Sequence, residues 1–378
     1  MATILIYGDT VRSPALRHEV PLEIVDPFLY VARDDDAFVL TSALELARIQ
    51  ATLPRATVQL RDAVGWYELI DEGMPRDEAE LEVAVRALRE WGIEEAIVPG
   101  DLPVAVADRL RDEGLRVQVD SPTVQDRRRV KTPAELDGIR RAQRAAEAGM
   151  AAAESLIRRA GHAGEDLEHA GEPLTAETVR ATVRAACAAA GAPAPPDIMV
   201  VSLRSGGGHD PGSGPLPAGL PITIDLWPRD DASGCWADMT RTFVNGEVTA
   251  EVAALRDVAR SALEAARKAA RPGITGRALY DVAAEIVEGA GFPTQRTRTP
   301  GETLSRGFYF GLGHGVGLEV HEPPGLGLGG SETLLAGDVI AIEPGIEGLE
   351  GIGGVRLEDL LLITEDGNET LTDYPFDF

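Results

Sequence analysis

The 378-residue sequence has few basic side chains, and lysine is the rarer of them. Lys131 and Lys268 are the only lysines, and 36 basic residues stand against 62 acidic ones, which gives a formal net charge of −26. A surface with this charge repels phosphate backbones and anionic lipid. We therefore expect neither a nucleic-acid partner nor a membrane partner.

Cysteine and long apolar runs are scarce as well. The two cysteines, Cys187 and Cys235, are too few for a disulfide framework. The apolar stretches fall short of the roughly 20 residues that span a bilayer, and residues 1–14 lack the pattern of a signal peptide. The hydrophobic fraction of 44% is ordinary for a globular protein. These features predict a cytoplasmic protein with a full core.

The first third of the chain alternates short apolar runs with helical patterns. The candidate elements are the strands 3–7, 96–98 and 115–119, a hairpin of 28–31 with 38–40, and helices around 81–88 and 103–113. Alternation of strands and helices predicts a partly parallel sheet. We therefore predict a smaller α/β domain over residues 1–130, without a catalytic constellation.

A domain boundary is predicted near residue 130. Thr132-Pro133-Ala134-Glu135 is a capping box with proline at the first helical position, and it predicts a helix that runs to about Ala160. Two helix pairs, broken at 161–173 and at 271–273, each precede strand-like segments that carry histidine and acidic residues. This weak internal repeat predicts a pseudo-symmetric domain over residues 131–378, with a site between its halves.

Acidic residues occur in that domain at positions where burial would be costly. Asp225 lies in an apolar strand pattern, Asp238 follows 13 positions later, and Glu343 ends the apolar run 339–342. An unpaired buried carboxylate destabilises a fold by several kcal/mol. Each acid on its own is compatible with an ordinary turn residue, so only the set needs a further explanation.

Histidine and arginine complete the pattern. His314 lies in the glycine-rich run 313–317, whose glycines permit close approach, and His321 follows seven positions later. Strand periodicity puts Arg356 and Glu358 on one face of a strand. Arg356 could hold a carboxylate in place or form a plain cross-strand salt bridge.

Four converging carboxylates would repel one another and take up protons unless cations neutralise them. Four oxygen donors and one imidazole suit hard divalent ions. Manganese fits best, with cobalt, magnesium, iron and zinc as alternatives. Structural zinc is disfavoured, because it uses four ligands rich in cysteine or histidine.

In these motifs, residues 131–378 resemble the creatinase/prolidase/methionine aminopeptidase superfamily of pita-bread metallopeptidases. Over residues 1–130 the resemblance is limited to a compatible α/β pattern, as in aminopeptidase P and prolidase. It implies an α/β (α+β) protein whose pita-bread catalytic domain has pseudo-twofold halves, and it implies a homodimer. It also implies a dinuclear site with the metal ligands Asp225, Asp238, His314, Glu343 and Glu358. Creatinase shares the layout but lacks these ligands.

The resemblance implies a role for each site residue. Asp238 and Glu358 would bridge the two ions, with Asp225 on one ion and His314 and Glu343 on the other. A bridging water would lose its proton to Glu343 and become the nucleophile. His321 and His209 would lie beside the substrate and bond the scissile amide and the developing oxyanion, while Arg356 orients a carboxylate.

Two segments depart from the family pattern. His209 stands 16 positions before Asp225, close to the family spacing, but its surroundings lack the usual Gly-Pro-Asn run. The loop between Asp225 and Asp238 is about two residues longer than is typical, carries Trp227 and Trp236, and has alanine in place of serine before Asp238. A reshaped substrate pocket is expected from this loop.

The leading hypothesis is hydrolysis of the amino-terminal Xaa-Pro bond of small peptides by a metal-bridging hydroxide. The sequence does not separate a dipeptidase from an aminopeptidase. A non-peptidase member of the superfamily, such as a lyase or an amidinohydrolase, is the first alternative. An inactive binding module is the second, and the complete ligand set disfavours it.

Overall fold

The computed structural model describes residues 3–204 and 210–376 of the chain. Contacts between residues divide the chain into two compact units, Met1–Arg128 and Arg129–Phe378. Among the described residues, no helix combines the length and the apolar composition needed to cross a membrane.

The first unit alternates strands and helices. Its elements are β1 Ile4–Gly8, α1 Pro14–Glu19, β2 Phe28–Arg33, β3 Asp36–Thr41, α2 Leu46–Thr52, β4 Thr57–Leu60, a 3-10 helix Arg61–Val64, α3 Trp66–Asp71, α4 Arg76–Glu90, β5 Glu95–Val98, α5 Val104–Asp112, β6 Arg116–Val119 and α6 Ser121–Asp126.

One mixed sheet organises this unit, in the strand order β4-β3-β2-β1-β5-β6. The pairs β1–β2 and β2–β3 are antiparallel, whereas β3–β4, β1–β5 and β5–β6 are parallel. The β2–β3 hairpin turns at Asp34, whose φ of 54° is a left-handed conformation that aspartate tolerates. The predicted hairpin and the partly parallel sheet are confirmed.

The second unit begins with a long helix. Its elements are α7 Pro133–Arg159, β7 Gly161–Ala163, β8 Asp166–His169, β9 Glu172–Pro173, α8 Ala176–Ala189, β10 Met199–Ser202, β11 Ile222–Leu226, β12 Met239–Phe243, α9 Ala250–Ala269, α10 Gly276–Gly289, β13 Gly313–Gly315, β14 Glu322–Leu326, β15 Val339–Ile342, β16 Gly345–Leu349, β17 Gly353–Arg356, β18 Asp359–Ile363 and β19 Asn368–Thr370.

The start of α7 has the predicted capping box. Thr132 Oγ1 accepts from the Glu135 backbone N–H at 3.2 Å, and the Glu135 side chain accepts from the Thr132 N–H at 2.7 Å. These bonds satisfy two of the backbone donors that a helix start leaves without partners. The helix ends at Arg159, as the sequence predicts.

Two helix pairs and two sheets form the framework of this unit. Helix α7 packs on α8, and α9 packs on α10. The sheets have the orders β10-β11-β12 and β14-β13-β15-β18-β19. Between α7 and α8, the predicted break contains the small sheet β7-β8-β9. Each helix pair therefore precedes strands in the chain, as the internal repeat predicts.

The prediction of one continuous strand through residues 355–359 is wrong. Arg356 ends β17 and pairs with Gly345, whereas Asp359 begins β18 and pairs with Ile342. Between them, the Leu357 N–H bonds to Pro344 O at 3.3 Å and the Glu358 N–H bonds to Thr240 O at 3.1 Å. The chain changes sheets at this point because successive backbone donors bond to different elements.

Candidate metal centre

One cavity in the second unit collects the acidic residues, the histidines and the arginine that the sequence singles out. Its lining residues are Asp197, Met199, Asp225, Trp227, Asp238, His314, Val320, His321, Glu343, Arg356 and Glu358. His209, which the sequence also predicts at the site, lies outside the described residues.

Two neighbouring strands position the first pair of acids. Asp225 lies on β11, and Asp238 directly precedes β12. The strands pair antiparallel with Asp225 opposite Thr240 and Leu226 opposite Met239. Side chains alternate between the faces of a strand, so Asp238 and Thr240 face the same way as Asp225. Both aspartates are buried.

Close backbone packing positions His314. It lies on β13, between β14 and β15, with glycine on either side. A Cβ atom on Gly313 would lie 2.0 Å from Ala341 O, and one on Gly315 would lie 2.3 Å from Pro323 O. Neither position has room for a side chain, which explains the glycines.

The imidazole of His314 is oriented toward the acids. Its Nδ1 lies 3.1 Å from Gly315 O, a contact in which a protonated Nδ1 donates to the carbonyl. Its Nε2 lies 3.7 Å from Asp238 Oδ2 and 3.7 Å from Glu343 Oε1. Burial lowers the pKa of His314, which favours the neutral ring with a free electron pair at Nε2.

Arg356 holds two of the carboxylates. Its Nη2 lies 3.1 Å from Asp225 Oδ2, and its Nη1 donates to Glu343 Oε2 at 3.1 Å. Its Nε lies 3.4 Å from Glu347 Oε1. The guanidinium therefore orients carboxylate oxygens on both sides of the cavity, the orienting role that the sequence suggests for it.

The two carboxylate oxygens of the remaining acid, Glu358, differ, because one accepts a hydrogen bond and the other does not. Thr240 Oγ1 donates to Glu358 Oε2 at 2.8 Å. Glu358 Oε1 is buried and has no hydrogen-bond partner in the described part of the chain. A buried carboxylate oxygen without a partner is costly, and a bound cation would satisfy it.

The acids raise one another's pKa. Burial raises the pKa of Asp238 and of Glu358 well above their ordinary values, and repulsion between neighbouring carboxylates adds to the shift. Burial also raises the pKa of Glu343 to about 7, although the charge of Arg356 opposes this. Without cations, the cluster would therefore hold protons near neutral pH.

The donor atoms are close enough to share cations. Ligand atoms of Asp225, Asp238 and Glu358 lie within 4.8 Å of one another, and so do those of Asp238, His314 and His321. Asp238 belongs to both groups. The unbonded Glu358 oxygen, the raised pKa values and this donor set fit divalent cations.

A ring nitrogen of His321 lies within 4.8 Å of the ligand atoms of Asp238 and His314. Its ring meets that of His314 edge to face, with the centroids 4.2 Å apart. Sequence reasoning did not single out Thr240, although it stands two residues after Asp238 and so on the same strand face. It also missed Asp197 and Glu347, which carry no local motif.

The loop between Asp225 and Asp238 is a continued hairpin. The backbone of Arg229 pairs antiparallel with that of Trp236. Asp230 accepts two hydrogen bonds from Arg141 on α7, both of 2.9 Å. Trp227 lines the cavity. Trp236 does not, because its Nε1 donates to Leu318 O at 3.2 Å and its ring packs into a neighbouring core cluster. Of the two tryptophans in this loop, Trp227 is therefore the one that lines the cavity, and the reshaping of a substrate pocket stays a prediction.

Comparison with solved structures identifies the fold. The chain is similar to the prolidase from Pyrococcus horikoshii OT3, with a TM-score of 0.75, 25% identity and coverage of 99% of this chain and 94% of that one. It is also similar to the X-Pro aminopeptidase from Thermotoga maritima MSB8, with a TM-score of 0.78, 22% identity and coverage of 100% and 97%. The α/β architecture is the pita-bread fold of these peptidases, as predicted.

Sequence comparison identifies the family. Residues 137–365, more than half of the chain, match the model of metallopeptidase family M24, and the chain belongs to this family. The Xaa-Pro dipeptidase of Pyrococcus furiosus is 39% identical over 138 residues, which are 36% of this chain and 35% of that protein. Such sequence matches thus span about a third of the curated relatives' length. Membership of a metallopeptidase family implies divalent metal ions, which agrees with the donor set described above.

Proposed function

We propose that this protein hydrolyses the amino-terminal peptide bond of Xaa-Pro peptides. The observation that carries the proposal is the convergence of three buried carboxylates, Asp225, Asp238 and Glu358, with the half-buried Glu343 and His314. Asp238 belongs to both groups of closely spaced donor atoms. The relatives named Xaa-Pro dipeptidase and X-Pro aminopeptidase support the choice of substrate. We also propose that residues 1–130 form a creatinase-like amino-terminal domain and residues 131–378 a dinuclear catalytic domain.

The proposed ligands are divided between two cations. Asp225 would hold one ion and His314 and Glu343 the other, with Asp238 and Glu358 shared, and the predominance of oxygen donors favours manganese. When bound, the ions would supply Lewis acidity and a lowered pKa of water.

Hydrogen bonds within the protein orient two of the proposed metal ligands, Glu358 and His314. Thr240 fixes Oε2 of Glu358, which leaves Oε1 directed into the cluster. Gly315 fixes Nδ1 of His314, which leaves Nε2 facing Asp238 and Glu343. Partners of this kind orient metal ligands and tune their basicity.

Glu343 is proposed as the proton acceptor. Its Oε2 accepts from Arg356, so Oε1 is the oxygen that faces the cluster and can take a proton from the attacking water. Burial raises the pKa of Glu343 in the metal-free chain, so its carboxylate has a higher proton affinity than an exposed glutamate.

His321 is proposed to bind the substrate. Its ring lines the cavity beside His314, where a nitrogen could donate a hydrogen bond to the scissile carbonyl as negative charge develops there. His209 keeps the same proposed role on the strength of its sequence position alone. The homodimer and the cytoplasmic location also stay predictions from the sequence.

The test is a comparison of three substrate classes with the manganese-loaded protein. Xaa-Pro dipeptides, Xaa-Pro-Yaa tripeptides and Met-initiated peptides without proline are assayed in parallel, with the Asp238→Asn variant as the inactive control. We expect turnover of the proline-containing peptides, and the ratio of dipeptide to tripeptide turnover separates dipeptidase from aminopeptidase. No turnover of any class would refute the peptidase function.

A further inference from the structure

One acid in the metal cavity has no part in the cluster. Of the five acids lining the cavity, Asp225, Asp238, Glu343 and Glu358 are the proposed ligands, and Asp197 is the fifth. Asp197 is exposed at the cavity mouth. It forms no hydrogen bond or ion pair with any other residue in the described ranges 3–204 and 210–376. Its carboxylate is therefore available to a ligand in the cavity.

Asp197 and an aromatic residue, Trp227, line the same cavity. Met199 pairs with Asp225 across β10 and β11, and these strands are antiparallel. Asp197 lies in a turn two residues before β10, and Trp227 directly follows β11. Both residues therefore lie at the same end of this strand pair. Pro195 and Pro196 restrict the backbone immediately before Asp197.

Trp227 presents a ring without a polar partner. It is half-buried against the core cluster behind β11. Among the described residues, nothing accepts a hydrogen bond from its indole N–H, and no cation lies over its ring. A carboxylate beside an indole ring attracts cations through both charge and the ring quadrupole.

Position in the cavity distinguishes between the two cationic groups of a peptide, the α-ammonium and a basic side chain. The hairpin register that joins Asp225 to Thr240, continued by the Ala237 N–H to Pro228 O bond, puts Trp227 opposite Asp238. Asp238 is buried, whereas Asp197 is exposed, so the two aspartates lie at different depths of the cavity. The α-ammonium nitrogen is only about 2.5 Å from the scissile carbonyl carbon. A lysine side chain reaches about 6 Å further, which suits a carboxylate at a different depth from the cluster.

We propose that Asp197 and Trp227 form a subsite for a basic side chain on the first residue of the peptide. The preferred substrates are then Lys-Pro and Arg-Pro peptides. This inference rests on the proposed function, because it assumes that the scissile bond lies at the cluster around Asp238. The acidic net charge of −26 would help to attract such substrates to the protein.

The first arm of the test compares matched peptides on the manganese-loaded protein. Lys-Pro is compared with norleucine-Pro, and Arg-Pro with citrulline-Pro, so that only the charge of the first side chain changes appreciably. We expect kcat/KM to favour the basic peptide by about fivefold to tenfold, the range for an ion pair supported by an aromatic ring. Asp197→Asn should bring this ratio to about one.

Two further variants control for charge and for the ring. Asp231→Asn removes the same charge from an exposed position on the same hairpin, outside the cavity, and should leave the ratio unchanged. Trp227→Leu should lower the ratio by about twofold to threefold, and Trp227→Phe should restore it.

The second arm measures peptide binding to the manganese-loaded protein by calorimetry, with Lys-Pro and norleucine-Pro analogues whose amide bond is reduced and cannot be hydrolysed, and so does not depend on turnover. Tighter binding of Lys-Pro than of norleucine-Pro, lost in Asp197→Asn alone, supports the subsite even if the peptidase function fails. Equal weakening of both peptides by Asp197→Asn would mean that the α-ammonium is bound instead, and would overturn the proposal. An unchanged ratio in Asp197→Asn would overturn it too.

Discussion

Arg356 donates a hydrogen bond from Nη1 to Oε2 of Glu343 at 3.1 Å. The same guanidinium reaches Asp225 through Nη2, also at 3.1 Å. A single planar group therefore sets the separation of two carboxylates, one on β11 and one directly after β15. This arrangement depends on a fork of donors, which lysine does not have.

Arg356→Lys should lower kcat/KM by about 10- to 100-fold, because an ammonium cannot hold Asp225 and Glu343 in the same geometry. Arg140→Lys, in an exposed pair with Glu369, is the control and should have no effect. Steady-state kinetics at saturating manganese measure the change. Full activity in Arg356→Lys would mean that the guanidinium does not orient these carboxylates.

Thr240→Val should weaken metal binding by about 10- to 100-fold, because Glu358 Oε2 loses the donor that orients it. Valine has nearly the same shape as threonine, so the fold should be retained. Thr240→Ser keeps the hydroxyl and should restore the affinity. Competition with a chelator measures the metal dissociation constants, and equal values for the valine variant and the natural protein would contradict this account.

His321→Ala should keep the metal content and lower kcat by about 100-fold, because it removes a donor to the developing oxyanion. His321→Gln retains a hydrogen-bond donor and should recover part of the rate. Metal analysis and kinetics are carried out on the same sample. Loss of metal from His321→Ala would instead identify His321 as a ligand, which its position with Asp238 and His314 permits.

Glu343 makes the stability of the metal-free protein depend on pH. Its pKa is raised from 4.5 to about 7 in the fold. The folded state therefore binds more protons than the unfolded state between these values, and the free energy of unfolding falls as pH rises through this window. Glu343→Gln removes the contribution of Glu343 to this dependence, while Asp238 and Glu358 keep theirs.

From pH 4 to pH 8, the free energy of unfolding of Glu343→Gln should increase by about 2–3 kcal/mol relative to that of the natural protein. Urea denaturation of both metal-free proteins at the two pH values measures the difference. Glu365→Gln, an exposed substitution outside the cavity, is the control. A stability difference that does not change with pH would show that the pKa of Glu343 is not raised.

The sequence indicates much of the fold because its local patterns agree with its tertiary contacts. The capping box at Thr132 and the apolar strands around Asp225 and before Glu343 appear where the patterns predict them. The break between Arg356 and Glu358 could not be predicted, because it depends on bonds to Pro344 and Thr240, which are distant in sequence.

The site could be predicted where acids or histidines interrupt apolar or glycine-rich patterns. Asp197 gives no such signal, because an aspartate after two prolines is also typical of an exposed turn. Its position in the same cavity as Trp227 depends on tertiary packing, which local sequence does not specify. Trp236 belongs to the loop that was expected to reshape the pocket, yet its backbone N–H bonds to Gly317 O and its indole N–H to Leu318 O, contacts that are distant in sequence.

Metal content of the purified, manganese-loaded protein tests the dinuclear centre most directly. Elemental analysis after removal of free metal should find two ions per chain, and Asp238→Ala should lose both, because Asp238 belongs to both donor groups. Fewer than about one ion per chain in the natural protein, or two ions in Asp238→Ala, would contradict the account.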